Sequence, residues 1–244
     1  MSKLKAGLDG VTFMSQGCRL VGGFYKGAGD TPRPTALLLH GLPGIEKHLD
    51  LAYRLRDLGW NCLYFHYRGC WGSHGEFSLE GLTDDARAAV AWLREQPSVD
   101  KERIVLIGAS TGSHPAFRCG ATDLNISALV GVSPLIEPQA FEFPLDMADE
   151  YAQMLNDVPG EELLRQWNKL PSLIKPIAEF APRPMLLVTA GHDPLFPFSS
   201  YSESLARFIH IQCVQNEASD HGFSACRSWL VQNVTDWLVA RMGT

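Results

Sequence analysis

Ser110, Asp193 and His221 are of the types that together attack a carbonyl carbon, and each stands where a turn could hold it. Ser110 lies in GASTG (108–112), directly after the apolar run RIVLI. A glycine two positions to either side lets the backbone pack tightly between a strand and a helix and forces the serine hydroxyl outward. A plain helix cap is the blander reading of the same five residues. Serine is a poor nucleophile until a base takes its proton, and that base needs an orienting carboxylate. Asp193, in TAGHDPLFP, is the candidate acid, and His221, in ASDHGFS, the candidate base. His192 is a poor partner because neighbouring side chains leaving a strand point apart. Asp220 reads as a turn residue, and His114 as a packed core residue or a support for the site. His48, His66, His74 and His210 have no comparable context.

Acyl transfer also places negative charge on the former carbonyl oxygen, which preorganised N–H groups must stabilise. The Thr111 amide, directly after the serine, is one donor. HGLPG (40–44) follows another apolar run and supplies the second, the Leu42 amide. Gly112 is followed by Ser113, His114 and Pro115. Pro115 removes an amide and biases His114 away from helical angles, so the helix after the serine is expected to begin irregularly.

Residues so far apart in sequence meet only if a scaffold brings their turns together. TALLLH (35–40), NCLYFHY (61–67), RIVLIG (103–108), ALVGVS (128–133) and MLLVTAG (185–191) are continuous apolar runs. Such runs suit strands covered on both faces. Helical stripes alternate with them: Leu49, Ala52, Leu55 and Leu58, closed by Gly59, and then Leu82, Ala86, Ala89, Val90 and Leu93. The alternation predicts a mostly parallel sheet with right-handed crossovers and helices on both faces. VTFMSQ and CRLVGGFYK predict an antiparallel hairpin at one edge. Residues 134–182 break the rhythm with aromatics and proline-interrupted helical stretches. They are expected to form a small cap on a core of 1–133 and 183–244, with Phe141, Phe143, Met147, Tyr151, Met154, Leu155 and Trp167 as an apolar roof.

The 244 residues are 45% hydrophobic and 20% charged, a soluble globular balance, and the net charge of -6 with no basic stripe argues against nucleic acid. No run approaches a membrane span, and the first ten residues lack a signal-peptide core, so a cytoplasmic protein is expected. Six scattered cysteines suggest neither a zinc site nor a redox pair, and Cys70 reads as a loop or wall residue.

Taken together, HGLPG, HYRGCWGSHGEFS, GASTG, GHDPLFP and SDHGF, in that order, resemble the α/β-hydrolase superfamily, close to its esterase and prolyl-oligopeptidase-like branches. The resemblance implies an α/β-hydrolase fold with an eight-stranded-type sheet, and a Ser110, Asp193, His221 triad with Leu42 and Thr111 as oxyanion donors. It implies cleavage of small or medium carboxylic esters through an acyl-enzyme, with no metal or organic cofactor. The expected partner is a small ester or short peptide, not a membrane, with a homodimer left open. A peptidase is the alternative, with Glu137, Asp146, Asp149 and Glu150 as candidates to hold a peptide N-terminus. A non-catalytic ligand-binding member of the superfamily is the other.

Overall fold

Strand β3 (Arg33–Leu39) shows why the apolar runs have no polar face: Leu37 and Leu39 enter one core, Ala36 and Leu38 another on the opposite side of the sheet. Strand β5 (Val99–Ala109) divides likewise, with Ile104 and Leu106 on one side and Val105 and Ile107 on the other. Period-two alternation thus puts residues 36–39 and 104–107 of these strands under a helix layer on one side or the other. The structure, a computed structural model, describes residues 6–244; residues 1–5, which the sequence reading assigned to the core, lie outside the described residues.

The sheet has eight strands in the order β1-β2-β4-β3-β5-β6-β7-β8. Strands β1 (Gly7–Ser15) and β2 (Cys18–Lys26) form the expected hairpin at the edge, closed by Gln16 and Gly17, both at positive φ. Strand β2 pairs antiparallel with β4 (Asn61–His66), and all remaining pairs are parallel. They join β6 (Ile126–Val132), β7 (Met185–His192) and β8 (Ile211–Asp220) to the sheet. This is the α/β-hydrolase fold. The sequence runs did not disclose β8, because an edge strand beyond β7 buries little: Gln212, Cys213, Gln215 and Glu217 are exposed.

Helices α1 (Leu49–Asp57) and α8 (Arg227–Met242) cover one face, and α2 (Leu82–Glu95) and α3 (Ser113–Thr122) the other. Every residue of the expected stripe on α2 is buried. Between β6 and β7 the chain forms α4 (Leu145–Ala152), α5 (Gly160–Trp167) and α6 (Ile174–Phe180), and α6 packs on α3. The short helix α7 (Ser202–Leu205) precedes β8. Among the described residues no helix is long and apolar enough to cross a membrane.

Candidate active site

Ser110 directly follows β5 and stands at φ 54, a left-handed angle that non-glycine residues hold only when surroundings impose it. Those surroundings are backbone. A Cβ on Gly112 would strike the carbonyl oxygens of Leu39 and His40, and one on Gly108 would come within 2.5 Å of the Gly112 oxygen. The loop after β3 approaches as closely: a Cβ on Gly41 would lie 2.7 Å from the Ser110 Cβ. Parallel pairing of Leu39 with Gly108 sets this approach, so HGLPG and GASTG meet because their strands are neighbours in register.

The irregular helix start expected from Pro115 is confined to a 3-10 turn over Ser110–Gly112. Helix α3 is regular from Ser113 onward and includes His114. Pro115 is its third residue, where the amide has no acceptor within the helix, so nothing is lost. Ser113 sits under the turn, its Oγ donating to the Ser110 carbonyl at 2.7 Å and accepting from the Leu135 amide at 3.1 Å.

Strands β7 and β8 pair His192 with Asp220, so the next residue of one strand is Asp193 and of the other His221. His221 Nδ1 lies 2.8 Å from Asp193 Oδ2, and Asp193 Oδ1 accepts from the amides of Leu195 and Phe196, each at 2.9 Å. Burial alone would raise this carboxyl, but the His221 bond and the two amides outweigh it and hold Asp193 below the usual carboxylate range. Since the carboxylate fixes the proton on Nδ1, Nε2 is left as the acceptor. The Phe196 ring packs edge-on against His221, 5.3 Å between centroids, and Ser133 Oγ donates to the His221 carbonyl at 2.9 Å. His192 is exposed and His114 buried, as their contexts suggested.

The two expected oxyanion donors are adjacent but differently engaged. The Leu42 amide donates to Thr111 Oγ1 at 2.8 Å. The Thr111 hydroxyl thus spends one lone pair on Leu42 and keeps its own proton to donate. That side chain was legible only as the bearer of a backbone amide.

Ser110 and His221 line two cavities at once. One, of about 70 Å³, lies under α4 and α5 and is walled by Phe141, Phe143, Met147, Tyr151, Trp167 and Phe196. Five of the seven expected roof residues are there, whereas Met154 and Leu155 face a surface hollow beside Cys70. Cys70 is buried, bridges to Leu155, and has its thiol pushed up by burial. The other cavity, of about 200 Å³, is walled by Leu42, Ile45, Ala109 and Val132 together with two polar side chains, Glu46 and His48. Among the described residues no hydrogen bond joins Ser110 to His221; such contacts are often loose before substrate binds.

His48 is what the sequence reading missed. Burial first, and then the Arg227 guanidinium, push it down to about 4 against the pull of Glu46 and Asp50. Arg227 donates to His48 Nδ1, pairs bidentately with Asp50 and donates to the Gly222 carbonyl next to His221. His48 and Asp50 lie 179 and 177 positions before Arg227, so no local pattern could reveal the cluster. Glu137, Asp146, Asp149 and Glu150 line neither cavity beside Ser110. Among the described residues no group of three or more His, Cys, Asp or Glu side chains could hold a metal ion.

Known proteins share this architecture. The model of the alpha/beta hydrolase family matches residues 36–240. An uncharacterized protein of Mycobacterium tuberculosis is 33% identical over 208 residues, covering 84% of this chain and 68% of that protein. Among solved structures, Est1E from Butyrivibrio proteoclasticus with bound ferulic acid superposes with a TM-score of 0.78 at 17% identity, covering 96% of this chain and 100% of that one. The esterase Pf2001 of Pyrococcus furiosus gives 0.74 at 19% identity, with 98% and 92% covered. At such identities the likeness to the two structures is one of fold.

Proposed function

This chain belongs to the alpha/beta hydrolase family, and we propose that within it the protein is a serine hydrolase that cleaves carboxylic esters with short acyl groups through an acyl-enzyme on Ser110. The observation that carries this reading is the Asp193–His221 hydrogen bond of 2.8 Å, made beside a serine held at positive φ that shares both cavities with His221.

The chemistry follows from the groups present. His221 Nε2 takes the Ser110 proton as Oγ attacks the carbonyl carbon, and Asp193 stabilises the imidazolium that forms. The oxyanion meets the Thr111 amide and the Thr111 hydroxyl, whose oxygen is polarised by the Leu42 N–H. His221 then protonates the departing alcohol oxygen, leaving an acyl-Ser110 ester. Water attacks that ester, giving its proton to His221, and the carboxylic acid leaves as Ser110 is restored.

The aromatic cavity suits the acyl group. Its 70 Å³ holds about five water-sized groups, enough for a short chain. Residues 134–182 are then a cap on a core of 1–133 and 183–244, with 141–167 as its roofing part. Peptidase activity has less support, because none of its candidate acidic residues faces the nucleophile.

A fluorophosphonate probe tests the reading. It should label wild-type protein and not Ser110→Ala, while p-nitrophenyl esters turn over faster than aminoacyl anilides. Labelling that survives the substitution removes Ser110 as nucleophile. Faster anilide turnover favours the peptidase, and tight ligand binding without turnover favours a non-catalytic member.

A further inference from the structure

The second cavity holds a histidine for which acyl transfer has no use. His48 is buried, 7% exposed, and shares a wall with Ser110 and His221. Its Nδ1 lies 3.1 Å from both Nη1 and Nη2 of Arg227. A guanidinium can only donate, so Nδ1 accepts, and the proton of the neutral ring sits on Nε2.

Arg227 is itself held in place. Its Nε donates to Asp50 Oδ2 at 2.8 Å, its Nη2 to Asp50 Oδ1, and its Nη1 to the Gly222 carbonyl at 3.0 Å. The His48 backbone stands at φ 53, a left-handed angle that persists where neighbours over-determine it, and its amide donates to the Glu46 carboxylate. Side chain, tautomer and backbone are therefore all fixed before any ligand arrives, which is how a recognition group is built. The aromatic cavity, of about 70 Å³, has room for little beyond a short acyl chain, so the leaving group is assigned to the larger cavity, of about 200 Å³, with His48 and Glu46.

We propose that His48 presents its Nε2–H to the alcohol portion of the ester, making this cavity a subsite for alcohols that carry a hydroxyl or ether oxygen close to the ester linkage. This rests on the serine hydrolase reading of Ser110. The alcohol leaves before water attacks, so His48 acts during acylation and is silent in deacylation.

A matched pair of substrates isolates the interaction: the 2-methoxyethyl and butyl esters of one short acid, equal in length and differing by one ether oxygen. The ratio of their kcat/KM values is measured in wild type, in His48→Phe and in His48→Asn. Phenylalanine keeps a ring without the donor; asparagine tolerates the left-handed backbone and draws the donor back. One neutral hydrogen bond corresponds to about a three- to tenfold fall of the ratio in both variants. An unchanged ratio in both overturns the proposal. Fluorophosphonate labelling is read separately: if wild-type protein is not labelled, the nucleophile assignment falls first. If neither variant is labelled, protection of the wild-type protein decides. There 2-methoxyethanol must slow labelling at lower concentration than 1-butanol, and equal or weaker protection overturns the proposal.

Discussion

The two cavities flanking Ser110 are both largely apolar but differ in how one wall of each is held. Under α4 and α5 the walls are aromatic rings in mutual contact: Trp167 lies 4.6 Å from Phe143 and 5.9 Å from Phe141, and Phe196 links them to His221. Across the serine, one wall is held by charge: Arg227 ties His48, Asp50 and the turn after His221 together. Apolar packing selects by size with small energies per atom, whereas an oriented donor selects by the presence of one oxygen. On the proposed reading of Ser110, one kind on each side would let the acid and alcohol halves of an ester be chosen independently.

If Ser110, Asp193 and His221 form one triad, both sides serve it, and this carries the largest expected effect. Asp193→Asn should lower kcat by about 10⁴-fold, through loss of the correct imidazole tautomer. The factor should be the same for esters that vary in the acid and for esters that vary in the alcohol. A loss confined to one series would mean that the cavities do not share a catalytic centre.

Next in size is the oxyanion. Thr111→Val keeps the backbone amide and removes the hydroxyl to which Leu42 donates. Loss of one such donor costs about 10²-fold in kcat, and Thr111→Ser should restore most of it. If Thr111→Val instead matches wild type, the backbone amides suffice and the Thr111 hydroxyl has no part in the chemistry.

Acid sensitivity should come from four buried histidines, of which His48 alone lines a cavity beside Ser110. His40 and His48 are pushed down to about 4, and His66 and His114 to about 3, all chiefly by burial. The unfolded chain takes up these protons near pH 6.5 while the folded chain refuses them until near pH 4 or below. Their stability contribution is therefore complete above about pH 6.5 and is lost as pH falls toward 4, by at most about 1.4 kcal/mol per pH unit for each histidine. Urea unfolding at pH 6.5 and pH 5 should show this decline. The decline should be shallower in His48→Asn, and an equal slope would mean that His48 is not buried neutral.

How the two cavities appear in sequence follows from their physics. The aromatic wall comes largely from one stretch, Phe141 to Trp167, so composition alone announces it. The three residues proposed as a triad were legible because strand ends place Ser110, Asp193 and His221 in short glycine- and aspartate-marked turns. Strand β8 was not, since its outer position leaves it polar. His48, Asp50 and Arg227 were invisible for a different reason: each is an ordinary residue at its own position, and only the packing of α1 against α8 joins them. Likewise Thr111 announced a backbone donor, while its side chain acquires a role only from the loop that β3 delivers beside it.

The smallest effect separates the two sides most cleanly. Each methylene buried in the aromatic cavity is worth about 0.8 kcal/mol, or roughly fourfold in kcat/KM, until the cavity is full. In wild type the acyl-chain series should rise at that rate over the first few carbons and then fall, because the closed roof resists a longer chain. Trp167→Leu removes ring volume from this wall alone, so the optimum should move one or two carbons longer. The 2-methoxyethyl to butyl ratio should stay at its wild-type value, since Trp167 does not line the cavity of His48. A ratio that moved with the acyl optimum would show that α5 shapes both sides, and selection of acid and alcohol would then be coupled through the roof.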